Sequence, residues 1–512
     1  MAAAAAKGTK YALACRRLAK PSLGIKQRYM KRLYDSVVVP KMYYTVDVWG
    51  AEMVSRLGNR AGRKGQGKVL GKVLHTHALT TTGAMRTTTT DAAVAHANLM
   101  PLPFLLRKLC FRAYARMTTL PKSNPIHDEI RKANRQRKHH KSLLHHLALT
   151  FPIHPKDTEE IRAPRHPPKW NPDIEVVIDG NKEEAVKRAN EAREEIQIFT
   201  DGSGYNGGIG AVVVLRRPRR NDKILCYHLG SEKEYTVYNG EQVGMVLGAE
   251  LLRREGDVHS AYMGVDNQAA IQAVLSRNSH SGHSLTDMFT QVLQQATDRH
   301  GIERFKIRWV PGHANVAGNE AVDAEAKRAA EGETSPPNLL PSVLKKGQNP
   351  IRLPFNKAAL IQANNDRLKQ DIADDFSLCP RGERLRQIDP TLPSGKYATL
   401  VDSLPRRHAS ALTQLQTGHA PLNRHLARIG KVPSPACEQC GAAFETVHHY
   451  VLMCPAYQEE RNILRREVGR RRMNLGTLLT DKGALEGLLR FLARTRRLFQ
   501  VLGDLTPPEP PP

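Results

Sequence analysis

Glu195-Ile196-Gln197-Ile198-Phe199-Thr200-Asp201-Gly202-Ser203-Gly204 is the stretch on which the reading of the fold turns. The apolar run Ile196 to Thr200 has the length and composition of a short strand, and the glycines after it predict that the strand stops where the Asp201 carboxylate begins. Working outward, Ile209 to Leu215 and Lys223 to Leu229 read as second and third strands, joined by the basic turn Arg216-Arg217-Pro218-Arg219-Arg220. Asn239-Gly240-Glu241 opens a helix whose apolar face is Val243, Val246, Leu247 and Leu251, with Glu241 in its first turn. A buried strand, Ala261 to Val265, delivers Asp266 at its end, as the first strand delivers Asp201.

A helix from about Leu285 to Ala296 leads to Phe305-Lys306-Ile307-Arg308-Trp309, whose alternation marks a strand with one wet face. The loop Val310-Pro311-Gly312-His313 follows, and Gly318-Asn319 starts a last helix with Asp323 one turn in, where free backbone N–H groups favour an anion. The expected order of strands and helices suits a mixed sheet covered by helices. Any one of these acids alone would pass for a cap or a surface charge. Four brought together repel one another, and hard divalent ions such as Mg²⁺ relieve that repulsion while keeping waters for a substrate phosphate. Such a cluster implies two-metal phosphodiester hydrolysis.

Taken in order, Asp201-Gly202-Ser203, Glu241, Asp266, Gly312-His313 and Gly318-Asn319-Glu320-Ala321-Val322-Asp323 resemble the ribonuclease H family over about 135 residues. The resemblance implies an α/β fold with a mixed five-stranded sheet flanked by helices, and cleavage of the RNA strand of RNA–DNA hybrids. It also implies that Asp201, Glu241, Asp266 and Asp323 hold two Mg²⁺ ions, for which Mn²⁺ can substitute, and that His313 assists product release or proton transfer. The connection Ser276 to Ser284 is too short for the extra basic helix with which some family members grip the hybrid.

The 512 residues allow two to four domains, and 77 Lys and Arg against 50 Asp and Glu, a net charge of +27, point to nucleic acid as partner. Residues 1–120 alone hold 21 Lys and Arg against 4 acids. Seven cysteines are too few and odd in number for a disulfide framework, and no apolar run reaches membrane-spanning length. Arg131 to His146 is dense in Arg, Lys and His, which suits phosphate contacts or a nuclear localisation signal, so an intracellular, nuclear site of action is expected.

Composition divides the chain into a basic helical region (1–150), a Pro-rich linker (151–190), the ribonuclease H-like domain (191–332), a linker with a helix (333–400), a helical region (401–502) and a disordered tail (503–512). Cys437-x-x-Cys440, eight residues, His449, four residues and Cys454 give donors able to surround a structural Zn²⁺. His448 is the competitor for His449. Leu412 to His419, with Leu422-Asn423, and the Cys-x-x-Cys to His-x-x-x-x-Cys element look like the region after the ribonuclease H domain of non-LTR retrotransposon polyproteins. Residues 10–120 look like the segment after the polymerase core of such reverse transcriptases. The chain therefore reads as the C-terminal part of such a polyprotein without a polymerase palm, since Ala373-Asp374-Asp375 lies in a helical pattern. A catalytically silent nucleic-acid-binding derivative is the rival reading.

Overall fold

The computed structural model describes the backbone of residues 1–512 apart from 57–65, 136–141, 164, 168–169, 313–315 and 508–512, and side chains apart also from 55, 56, 66, 317, 319, 320 and 324. Two compact units result, residues 111–366 on one hand and residues 1–110 with 367–512 on the other.

The 111–366 unit is built on six strands: β1 (Ile174–Val177), β2 (Ile196–Tyr205), β3 (Gly208–Arg216), β4 (Lys223–Ser231), β5 (Ala261–Val265) and β6 (Phe305–Trp309). They lie in the order β1-β6-β5-β2-β3-β4, with β2, β3 and β4 antiparallel and β1, β6, β5 and β2 parallel. Between β1 and residue 330 the helices are α1 (Lys182–Asn190), α2 (Val237–Arg254), α3 (Gln268–Leu275), α4 (His283–His300) and α5 (Ala317–Ala330). Mixed α/β architecture is thus as expected. The sheet has six strands where five were expected, because β1 comes from the supposed linker: its four residues are too few to show a period, and only pairing with β6 identifies them.

The first strand also outruns its prediction. Its parallel pairing with β5 ends at Thr200 and Val265, but its antiparallel pairing with β3 continues to Tyr205 and Gly208. The hairpin closes on Asn206 and Gly207, both at positive φ (50° and 78°), the backbone that a two-residue turn matching strand twist requires. β3 therefore pairs the backbone of Gly202 to Tyr205 after β5 has left.

One face of the sheet presents Ile198, Val213 and Leu215 to α2, which is buried from Asn239 to Leu252 and backed by Leu285, Phe289, Val292 and Leu293 of α4. The other face presents Phe199, Val212, Val214 and Tyr262 to Val322, Ala326 and Ala329 of α5. Neither flanking segment is a free linker. Buried Glu159 accepts from the N–H groups of Gly282 (2.7 Å) and Lys357 (2.8 Å), and Arg165 reaches Asp287 and the Ser276 carbonyl, both at 2.8 Å. Leu340, Leu344 and Leu353 join the sheet's core. Prolines make these segments extended without making them independent.

The other unit is helical and drawn from both ends of the chain. Its helices α6 (Arg406–Thr417), α7 (Asn423–Arg428), α8 (Gln458–Val468) and α9 (Lys482–Thr495) share a core of Leu412, Leu415, Tyr450, Leu464, Leu488 and Phe491. The polar side of α6 ties in the N-terminal segment. Gln416 Oε1 meets His96 Nε2 at 2.8 Å, Gln414 donates to the Gly83 carbonyl (2.9 Å), and buried Arg406 donates to the carbonyls of Lys20, Thr80 and Thr81. Asp374 and Asp375 lie in the helix Lys357–Ser377, as the sequence predicts. No described helix is long and apolar enough to cross a membrane.

Candidate metal centres

The register of the sheet brings the first two acids together. Thr200 and Val265 are the last partners of β2 and β5, so Asp201 and Asp266 are the next residue on each of two neighbouring parallel strands. The chain after Asp266 turns at once into α3, capped by the Asn267 side chain on the Ala270 N–H (3.1 Å). Trp309 Nε1 holds the Asp266 carbonyl at 3.0 Å.

Glu241 arrives from α2, through a device that apolar periodicity does not reveal. Gly240, Gly244 and Gly248 recur every four residues and face the sheet. A Cβ at Gly240 would stand 2.7 Å from the Gly210 carbonyl and 3.0 Å from Gly202 Cα; at Gly244 it would stand 3.2 Å from the Val212 carbonyl; at Gly248, 2.7 Å from Met263 Cε. Gly202 answers from the strand, where a Cβ would lie 2.3 Å from the Glu241 nitrogen. Helix and strand thus meet backbone to backbone, with Glu241 beside the strand ends. Thr236 and Asn239 cap α2 reciprocally, which fixes its start.

One carboxylate oxygen each from Asp201, Glu241 and Asp266 lies within 4.8 Å of the others. A Mg²⁺ ion with bonds near 2.1 Å holds opposite oxygens ~4.2 Å apart, so small side-chain rotations would bring the group onto one ion. Glu241 is 3 % exposed, and its Oε2 is buried without a hydrogen-bond partner. Burial, then the charges of Asp266 and Asp201, hold its carboxyl well above the usual carboxylate range, against the opposing Gly202 N–H. A buried acid oxygen without a donor, between two further carboxylates, fits a cation.

Asp323 lies one turn into α5, which packs on the sheet face opposite α2, and is not one of the three acids whose oxygens share that 4.8 Å group. His313 lies outside the described residues.

The second centre gathers Cys437, Cys440, His449 and Cys454. Cys437 Sγ lies 3.9 Å from Cys454 Sγ and Cys440 Sγ lies 3.4 Å from His449 Nε2. A tetrahedron of 2.3 Å zinc–sulfur bonds has edges of ~3.8 Å, so these separations already suit Zn²⁺. Gly441, at φ 76°, turns the chain after Cys440, and the Cys437 N–H donates to the Ala442 carbonyl (2.8 Å). His449 opens a π-helical turn to Met453, leaving His448 exposed, which decides between the two histidines. Hydrogen bonding from the Ala442 backbone lowers the Cys440 thiol, while burial pushes Cys454 up to about 12. The supports are polar and buried: Glu445 receives the Arg497 guanidinium and the Asn423 N–H (2.6 Å), and Arg461 donates to the Val451 and Cys454 carbonyls.

No protein-family model matches the chain, and no curated protein matches it either.

Proposed function

We propose that the sheet unit hydrolyses the RNA strand of RNA–DNA hybrids, as the resemblance to ribonuclease H implies. The observation that supports this most is the convergence of Asp201, Glu241 and Asp266 at adjoining strand ends, with the Glu241 Oε2 buried without a hydrogen-bond partner. These three would hold divalent ions, Mg²⁺ or Mn²⁺. Such ions, when bound, acidify a water and neutralise charge at a scissile phosphate. Asp201 and Asp266 are placed by strand register, and Glu241 by glycine packing, so the carboxylates are positioned before substrate arrives. Asp323 would act from α5, and His313 would assist product release or proton transfer. Net charge of +27 suits the polyanionic substrate, and a nuclear site of action belongs to the same proposal. For the second centre, Zn²⁺ is the ion that the donor set favours, in a closed structural role.

The test offers the full chain labelled RNA–DNA hybrid, duplex RNA and duplex DNA with Mg²⁺. Selective loss of the RNA strand of the hybrid is expected, and equal attack on all three would exclude the assignment. The second reading is a silent nucleic-acid-binding protein, for which the net charge of +27 would suffice. Hybrid binding without cleavage would favour it.

A further inference from the structure

Beside the Cys437 to Cys454 centre lies a cluster of cationic and donor groups that the proposed catalysis does not use. His419 and His425 rings lie 4.6 Å apart. One Arg428 nitrogen stands 3.0 Å from His419 Nε2 and 3.0 Å from His425 Nδ1, and Thr87 Oγ1 stands 3.0 Å from both His419 Nδ1 and His425 Nε2. Donor chemistry fixes the protons. A guanidinium can only donate, so His419 Nε2 and His425 Nδ1 accept; their other nitrogens then carry hydrogen and donate to Thr87 Oγ1. Thr87 thereby accepts twice and keeps its own O–H for a partner beyond the cluster. Burial, then the charges of His425, Arg428 and Arg384, lower His419 to about 4, and burial with the Arg428 charge lowers His425, in agreement with two neutral rings.

Arg384 and Arg424 complete the cluster. Arg384 packs over Gly418, where a Cβ would stand 2.7 Å from its Cζ, and burial with the charges of Arg424 and Arg428 lowers its pKa. Arg424 lies 5.4 Å above the ring of Phe444, which is 56 % exposed. Among the described residues none of these three exposed arginines is in an ion pair. Three mutually repelling guanidiniums and an outward hydroxyl constitute a receptor of donors alone, whose missing counterpart is an anion with several acceptor oxygens.

We infer that Thr87, Arg384, Arg424 and Arg428 bind a backbone phosphate of single-stranded nucleic acid, with Phe444 stacking an adjacent base. A strand is favoured over a free phosphate because the exposed ring adjoins the cationic groups, and base–aromatic stacking beside a basic groove is how single strands are held. Duplex would keep its bases from that ring. The site is independent of hybrid cleavage and belongs to the other unit.

The test measures binding of a fluorescent oligothymidylate to the zinc-loaded full chain over a range of salt concentrations. The double variant Arg384→Gln/Arg424→Gln removes two charges whose side chains make no hydrogen bond to described residues, and its zinc content is checked first. Affinity should fall roughly tenfold or more. The slope of log affinity against log salt should shrink by ~0.7 for each lost phosphate contact. Wild-type affinity with an unchanged slope overturns the inference. Should the variant lose zinc, crosslinking of 4-thiothymidine-substituted strand to the wild-type chain decides: adducts at Phe444 support the site, and adducts confined elsewhere overturn it.

Discussion

The two candidate centres use opposite means to gather ligands. Asp201, Glu241 and Asp266 come from three separate elements and are hard, mutually repelling and incomplete as a coordination shell. Cys437, Cys440, His449 and Cys454 lie within eighteen residues of one another and supply four soft donors, a full tetrahedral set. An incomplete oxygen shell leaves positions for water and phosphate, whereas a filled sulfur and nitrogen shell leaves none and holds a fold together. Long-range register builds the first, and local spacing the second.

The sharpest contrast is expected between Asp266→Asn and Cys454→Ser. The first keeps shape and removes a charge that would hold a cation, so hybrid cleavage should fall by orders of magnitude with zinc content unchanged. Cys454→Ser should abolish the ~1 Zn²⁺ per chain and lower the stability of the helical unit by several kcal/mol, as loss of a structural site does. Metal analysis and thermal unfolding of both variants check the pair. Zinc-free wild-type protein purified without chelator would collapse the comparison.

Gly240→Ala probes how the carboxylate group is assembled. The new methyl would meet the Gly210 carbonyl at 2.7 Å and Gly202 Cα at 3.0 Å, both backbone atoms that cannot rotate away. A loss of about 1–3 kcal/mol is expected on denaturant unfolding, with weaker cleavage because Glu241 moves with the helix. Gly180→Ala, which meets nothing within 4 Å, is the control.

The smallest effect concerns pH. Folded and metal-free, Glu241 keeps its proton where the unfolded chain has released it, because burial and two neighbouring acids raise its pKa. Folding then takes up a proton, and this group's contribution to stability falls as pH rises from the ordinary carboxylate range through the raised value. Glu241→Gln should flatten that slope and stabilise the metal-free chain at neutral pH, while impairing cleavage. An unchanged slope of stability against pH would mean that Glu241 is not under the crowding described.

Much of the sheet unit was legible because its signals are local. Asp201 and Asp266 each follow an apolar run of strand length, and the structure places them side by side. Cys437, Cys440 and Cys454 were legible from spacing, which left His448 competing with His449. Other signals stood in the sequence unread: Gly240, Gly244 and Gly248 mark a helix that meets backbone, and Asn206-Gly207 marks the hairpin that carries β2 past Asp201. What could not be read depends on distant partners. β1 becomes a strand only against β6, and Gln414 and Arg406 are explained by carbonyls, and Gln416 Oε1 by a histidine, hundreds of residues away.

Magnesium titration of hybrid cleavage by the full chain, wild type beside Asp201→Asn, tests most directly whether the carboxylate group is the catalytic centre. Wild-type cleavage should be absent without added divalent ion and rise with Mg²⁺, while Asp201→Asn stays near baseline throughout. Cleavage by Asp201→Asn that follows the wild-type curve would contradict the account.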